Sequence, residues 1–187
     1  APLFVREEGD APVPIKSLPG VVQHTLSSLK DEVRQLRDLG VPGVILFGIP
    51  KHKDEVGSGA FDPNGIVQRA LSELRASVGD DMVLMADLCV DEYTSHGHCG
   101  VLDSKGHVDN DATIEIYTKA AVAQARAGAH VVAPSGMMDG QVGAIRSALD
   151  YNNFLDTLIL AYSAKYASGL YGPFRDAVEV QIAGGGD

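Results

Sequence analysis

The sequence predicts an α/β protein in which helices cover a parallel sheet, and three observations indicate this fold. Short apolar runs that suit buried strands alternate with amphipathic helical segments along the 187-residue chain. These runs are apolar throughout, as expected for strands that are buried on both faces. Polar and reactive side chains follow the carboxyl ends of three successive strands, which favours a (β/α)8 barrel over a doubly wound sheet with a single ligand crevice.

Five strand–helix units are predicted in chain order. The strands are expected at Ala1–Glu7, Gly43–Pro50, Met82–Cys89, His130–Ser135 and Thr157–Lys165. The helices are expected at Leu26–Leu39, at about Pro63–Val78, from a cap at Asp109 or Asp111 to about Ala129, and at Gly140–Asp150.

A complete barrel needs eight such units in about 250 residues, so a fragment is expected. On this basis residues 1–187 form a single, partial barrel domain with about the first five βα units. The chain carries one low-complexity run, Gly184–Gly186.

Charge and hydropathy exclude two classes of partner. The chain has 25 acidic and 15 basic residues and a net charge of −10, which argues against binding to nucleic acid or to an anionic membrane. No apolar run approaches the roughly 20 residues of a membrane span. No targeting segment is visible, although the chain does not begin with methionine, so a cytoplasmic location is expected.

The stretch MADLCVDEYTSHGHCG, from Met85 to Gly100, holds both cysteines of the chain. Cys89, Asp91 and Cys99 can supply three zinc ligands and leave a fourth position open for water or substrate. The carboxylate shifts the preference of such a site toward harder ions such as magnesium. A disulfide or two unligated thiols are the alternatives. His96 and His98 are further possible ligands, but histidines in loops more often form hydrogen bonds.

Lys165 follows a run of apolar residues at the end of the fifth predicted strand. Partial desolvation there is expected to lower its pKa and leave a neutral amine that attacks a carbonyl to form a Schiff base. The alternative is an ordinary surface lysine whose amine reaches solvent.

Two further side chains are candidates for substrate binding. Ser135, at the end of the fourth strand, can bond a substrate carboxylate or amine, or can belong to a loop that caps the next helix. Arg175 can bind a carboxylate through two hydrogen bonds, or can form an ion pair with Asp176.

Taken together, these motifs resemble one family, porphobilinogen synthase, which is also called 5-aminolevulinate dehydratase. The matching stretches are PLFVRE, SLPGVVQH, GVILFG, KDEVGSGAFDPNG, DLCVDEYTSHGHCG, GHVDNDAT, AQARAGAHVVAPSGMMDGQV and ILAYSAKYASGLYGPFRDA. They cover nearly the whole chain in the order of the family.

The resemblance implies a (β/α)8 barrel that condenses two 5-aminolevulinate molecules to porphobilinogen with release of two waters, usually as a homo-octamer. It implies that Lys165 is one of two lysines that hold the substrates as Schiff bases. Asp87 and Ser135 correspond to groups that contact substrate, and Arg175 to a residue that receives a substrate carboxylate. The loop with Cys89 corresponds to the metal site of the family.

The sequence departs from the family pattern in two respects. Zinc-dependent members have three cysteines in the loop, whereas this chain has Asp91 between Cys89 and Cys99. Active-site zinc on these three residues is still expected, with magnesium as a possible structural or allosteric ion. The second lysine of the family falls after Asp187, so this chain alone is expected to be inactive. The alternatives are a non-catalytic zinc-binding fragment of such an enzyme and another lyase of the class I aldolase kind.

Overall fold

The structure is a computed structural model that describes residues 1–166 and 168–182, without the side chain of Leu170. The strands are β1 (Pro2–Arg6), β2 (Val13–Pro14), β3 (Val22–His24), β4 (Gly43–Ile49), β5 (Val83–Leu88), β6 (Val131–Pro134) and β7 (Leu158–Ile159). The α-helices are α1 (Leu26–Asp38), α2 (Ile66–Val78), α3 (Asn110–Ala127), α4 (Gln141–Tyr151) and α5 (Gly172–Val178). Two short 3-10 helices lie at Ser58–Ala60 and Gly169–Tyr171. The predicted Gly184–Gly186 run lies outside the described residues.

The strands form one sheet in the order β2-β3-β1-β4-β5-β6-β7. All neighbouring strands run parallel except β2 and β3, which are antiparallel. Met85 of β5 lies opposite Ile45 of β4 on one side and opposite Val131 of β6 on the other. The carboxyl ends of these strands therefore meet at one edge of the sheet. The predicted parallel α/β fold is confirmed, and the barrel is not closed within the described part of the chain.

Apolar layers cover both faces of the sheet. On one face, residues of α1 and α2 pack against β1, β4 and β5, while α3 and α4 pack against β6 and the residues that follow β5. On the other face, Phe4 and Phe47 pack against Phe174 and Val178 of α5. This two-sided burial is the reason why the strands read as continuous apolar runs. None of the helices in the described ranges has both the length and the apolar character that a membrane crossing needs.

Side chains at the helix starts agree with the capping pattern of the sequence. The Thr25 hydroxyl accepts a hydrogen bond from the Ser28 backbone N–H at 3.2 Å in a capping box at the start of α1. Asp109, rather than Asp111, caps α3 by accepting from the Ala112 backbone N–H at 3.0 Å.

The fifth predicted strand, Thr157–Lys165, is much shorter in the structure. Regular strand covers only Leu158–Ile159, although sheet hydrogen bonds continue as far as Tyr162, whose N–H donates to the Pro134 carbonyl at 3.2 Å. Within the described residues β7 pairs only with β6, so its other edge forms no hydrogen bonds to a neighbouring strand. Lys165 consequently lies on an irregular segment beyond the strand.

Besides the two 3-10 helices, two strands and one α-helix have no counterpart in the prediction. Strands β2 and β3, which contain two and three residues, are too short to give a periodic pattern. Helix α5 contains seven residues and begins at Gly172-Pro173, a pair that reads as a turn in the sequence.

Candidate active site

The ends of β5 and β6 and the segment after β7 bring three predicted residues together. The Ser135 hydroxyl donates to Oδ2 of Asp87 at 3.0 Å. The Lys165 ammonium donates to the Ser135 backbone carbonyl, also at 3.0 Å. Asp87, Ser135 and Lys165 therefore form a connected polar group at the carboxyl edge of the sheet, as expected for a barrel enzyme.

Asp87 is buried, with 9% of its surface exposed. Burial, together with the nearby charge of Asp91, raises its pKa to about 8, while the Ser135 hydroxyl and the Lys165 ammonium act in the opposite direction. Its second oxygen, Oδ1, has no hydrogen-bond partner among the described residues. Asp87 is thus a carboxyl group that can carry a proton near neutral pH and still offer an oxygen to a ligand.

The pKa of Lys165 is raised, so the expected lowering is wrong for the metal-free protein. Burial alone lowers it, but its hydrogen bond to the Tyr171 hydroxyl and its electrostatic interactions with Cys99 and Cys89 act more strongly in the other direction. Its ammonium also lies 5.3 Å from the centre of the Tyr171 ring. The prediction considered desolvation and left out these neighbours.

Cys89, Asp91 and Cys99 lie together, and one ligand atom from each falls within 4.8 Å of the other two. Both thiols are free, so the disulfide alternative is not formed. Burial raises the pKa of the Cys89 thiol, as do its hydrogen bond to Cys99 and the charge of Asp91. Two sulfur donors and one oxygen donor suit an ion such as zinc, with a fourth position left open.

The two loop histidines are not part of this ligand group in the described chain. Nε2 of His96 donates to the Glu55 backbone carbonyl at 3.2 Å. Its Nδ1 accepts from the His98 backbone N–H, also at 3.2 Å, and the two rings lie 5.4 Å apart. These contacts tie the loop after β5 to the loop after β4.

A cavity of about 400 Å³ lies between the metal-ligand group and the segment that follows β7. Its lining includes Asp91, Cys99, Lys165, Tyr171 and Arg175. A smaller cavity of about 190 Å³ lies beside it, and Lys165 and Tyr171 line both. Lys165 therefore faces the same space as two of the candidate metal ligands, Asp91 and Cys99.

Arg175 lies at the rim of the larger cavity, as its predicted role requires. Its guanidinium carbon is 5.7 Å from the centre of the Tyr171 ring. None of the ion pairs recorded for residues 1–166 and 168–182 joins it to Asp176. Lys165 and Arg175 thus lie over the same ring and present two cations to the cavity.

Several residues of the site were missed at the level of sequence. Tyr171 contacts both cations, and Tyr162 and Phe174 line the smaller cavity. Burial and the charge of Asp87 raise the pKa of Tyr162 to about 12, so it stays a neutral hydroxyl. Glu92 is only 2% exposed and lines the same cavity. The sequence signal that could have indicated these residues is the stretch YSAKYASGLYGPF, in which tyrosines lie on both sides of Lys165.

Comparisons with known proteins identify the family of this chain. A family model described as Delta-aminolevulinic acid dehydratase matches residues 1–187. The delta-aminolevulinic acid dehydratases of Streptomyces coelicolor and Mycobacterium tuberculosis are 57% and 56% identical to this chain over 185 residues. Each match covers 98% of this chain and 56% of the relative.

A solved structure gives the same result. The delta-aminolevulinic acid dehydratase (porphobilinogen synthase) of Toxoplasma gondii ME49, in complex with the reaction product porphobilinogen, superimposes with a TM-score of 0.95 at 43% identity. The match covers 100% of this chain and 53% of that chain. This chain thus spans about half the length of the relatives that it matches. It belongs to the delta-aminolevulinic acid dehydratase family.

Proposed function

We propose that the full-length protein carrying this sequence condenses two 5-aminolevulinate molecules to porphobilinogen and releases two waters. The observation that carries the proposal is that Lys165 lines one cavity together with Asp91 and Cys99, and that the buried Cys89 lies within 4.8 Å of these two candidate ligands. One half of this cavity suits Schiff-base chemistry and the other half suits metal chemistry. The similar Toxoplasma enzyme, which holds porphobilinogen, supports the choice of substrate.

In this proposal Lys165 forms an imine with the ketone of one substrate. The Lys165 ammonium first gives up one proton to the Asp87 carboxylate, the neutral amine attacks the carbonyl carbon, and the two remaining amine hydrogens leave with the ketone oxygen as one water. The Ser135 carbonyl and the Tyr171 hydroxyl hold the amine in place before the attack. Asp87, with its raised pKa and unpaired Oδ1, gives and takes the proton that the leaving oxygen needs.

Arg175 binds the carboxylate of a substrate in the same scheme. Its guanidinium lies at the rim of the cavity and is already oriented by the Tyr171 ring. A planar guanidinium matches a carboxylate through two parallel hydrogen bonds. Arg175 therefore fixes the tail of the substrate while Lys165 reacts with its ketone.

We infer that zinc occupies the ligand group, because two thiolates and a carboxylate suit it better than magnesium. When bound, the ion supplies Lewis-acid polarisation of a substrate oxygen. Magnesium remains the proposal for a separate structural or allosteric ion. A homo-octamer and a cytoplasmic location are further proposals, and they rest on the resemblance to the family alone.

The test uses the full-length protein with zinc and 5-aminolevulinate. The wild type should produce a pyrrole that reacts with an aldehyde colour reagent, and borohydride should trap a covalent adduct. Lys165→Met should abolish the adduct at this residue and lower kcat by several orders of magnitude. Lys105→Met, at an exposed lysine in a turn, is the matched control and should behave like the wild type.

The outcomes separate the proposal from its rivals. Full turnover and an unchanged adduct in Lys165→Met refute the role of this lysine. An adduct with another ketone, without pyrrole formation, identifies a lyase of the class I aldolase kind. Zinc binding without turnover or adduct identifies a non-catalytic zinc-binding protein.

A further inference from the structure

Tyr117 of α3 extends from the core to both cysteines of the candidate metal centre. The side chain is fully buried, with 0% of its surface exposed. Its hydroxyl donates to the Cys99 backbone carbonyl at 2.6 Å. The same oxygen lies 3.5 Å from the Cys89 sulfur. One hydroxyl group thus contacts two ligand residues that are ten positions apart in the chain.

The Tyr117 hydroxyl is not needed for packing. The ring lies in an apolar cluster with Leu88, Ile116, Ile145 and other residues, where an apolar side chain of similar volume would be buried equally well. A buried hydroxyl without a partner costs free energy, and this one is satisfied through Cys99. The contacts of the hydroxyl with Cys89 and Cys99 therefore suggest that it acts on these two residues.

The neighbouring backbone leaves space for this hydroxyl. A Cβ atom added at Gly136, just after β6, would collide with the Tyr117 hydroxyl and with two ring carbons. Ala133 and Pro134 earlier in this segment carry side chains, whereas Gly136, which has none, lies directly against the Tyr117 phenol. The end of β6 and the side chain of α3 thus fit together around the oxygen.

We propose that Tyr117 is a positioning residue of the metal centre and that its hydroxyl holds Cys99 at the distance from Cys89 that metal binding requires. The inference rests on the proposed metal site. Cys99 lies on a loop, and ordering a loop when the metal binds costs conformational entropy. The bond from Tyr117 orders it in advance. Partners of this kind outside the ligand set affect metal affinity by about 10–100-fold.

The loop has a second attachment that keeps it folded when the Tyr117 hydroxyl is removed. The Thr113 hydroxyl accepts from the Val101 backbone N–H at 3.0 Å and packs against Gly100. This attachment holds the residues after Cys99 but does not contact the ligand atoms. Loss of the Tyr117 hydroxyl should therefore loosen the cysteine without unfolding the loop.

The experiment compares Tyr117→Phe with Tyr93→Phe in the full-length protein. Tyr93 is a second buried tyrosine of the same apolar cluster; its hydroxyl lies close to Gly48, and none of the hydrogen bonds among the described residues joins it to Cys89 or Cys99. Zinc affinity is measured by competition with a chelator, and the ligand field is read from the absorption of the Co²⁺ form. Tyr117→Phe should bind zinc about 10–100-fold more weakly and shift the Co²⁺ spectrum, while Tyr93→Phe should do neither.

The results distinguish this inference from the proposed function. If the wild type does not bind zinc through its cysteines, the proposed metal site fails. If the wild type binds zinc, and Tyr117→Phe matches it in affinity and Co²⁺ spectrum, only the role of Tyr117 fails. If Tyr117→Phe does not fold, Gly136→Ala displaces the hydroxyl without removing it. That variant should then show the same weakening, and unchanged affinity in it would overturn the inference.

Discussion

Gln23→Met should release helix α5, which carries Arg175, from the rest of the fold. The Gln23 amide is buried and donates to the Ala177 carbonyl at 2.9 Å and to the Glu179 carboxylate at 3.0 Å. A neutral hydrogen bond contributes about 0.5–1.5 kcal/mol, and one to a charged group about 1.5–3 kcal/mol. The local free energy that holds α5 should therefore fall by about 2–4.5 kcal/mol.

Amide hydrogen exchange is the assay, because exchange of a local element reports its own opening free energy. Since about 1.4 kcal/mol corresponds to a factor of ten, the amides of α5 should exchange roughly 30- to 1,600-fold faster in the variant. Lys53, whose ammonium donates to the Glu179 carbonyl at 3.0 Å, keeps the segment from separating completely. In the full-length protein the KM for 5-aminolevulinate should rise more than kcat falls, since Arg175 loses its fixed position.

Gln68→Met is the matched control for this prediction. Gln68 is equally buried and donates to the Ala60 carbonyl at 2.8 Å, but it lies on α2 away from α5. Gln68→Met should lower the free energy of global unfolding without selectively speeding amide exchange in α5. If Gln23→Met leaves the exchange of α5 unchanged relative to this control, the two hydrogen bonds do not hold the helix and the reasoning is wrong.

Three further predictions concern the site. Ser135→Ala removes the bond to the mostly protonated Asp87 and should lower the free energy of unfolding in urea by about 0.5–1.5 kcal/mol at neutral pH; a loss no larger than that of an exposed Ser104→Ala control would contradict it. The folded-state pKa of Asp87 is about 8, above its usual value of 3.8. Between these pH values folding takes up a proton, so the free energy of unfolding should fall as pH rises. Asp87→Asn should flatten this pH dependence in thermal melts of the metal-free protein. Zinc at 100 times its Kd should add about 2.7 kcal/mol of stability, and Cys99→Ser should lose most of this gain.

The sequence was most informative where the chain is regular. The apolar runs placed β4, β5 and β6 to within a residue or two, because a strand buried on both faces has few polar positions. Asp87 and Ser135 could then be predicted to meet, since parallel strands end at the same edge of the sheet. Their direct hydrogen bond agrees with that expectation.

The remaining features of the site depend on contacts between segments that are far apart in the chain. Such contacts leave no recognisable pattern in the local sequence. The raised pKa of Lys165 arises from Tyr171 and from cysteines more than sixty residues earlier in the chain. Tyr117 reads as one more apolar residue on a helix, and only the fold brings its hydroxyl to Cys89 and Cys99. The sequence therefore suggested candidate reactive groups but gave no sign of the neighbours that affect their protonation and orientation.

The two halves of the site are held in different ways. Asp87 and Ser135 belong to the ends of paired strands, so their substitution disturbs the sheet and should cost stability as well as activity. Lys165 lies on the segment after a two-residue strand and is held by hydrogen bonds to the Ser135 carbonyl and the Tyr171 hydroxyl, whereas Arg175 lies on the short helix α5 and contacts the Tyr171 ring. Their substitution should reduce binding and turnover with little change in the free energy of unfolding. A family member can therefore keep its sheet-anchored residues rigid while the segment with Lys165 and Arg175 adjusts to the substrate.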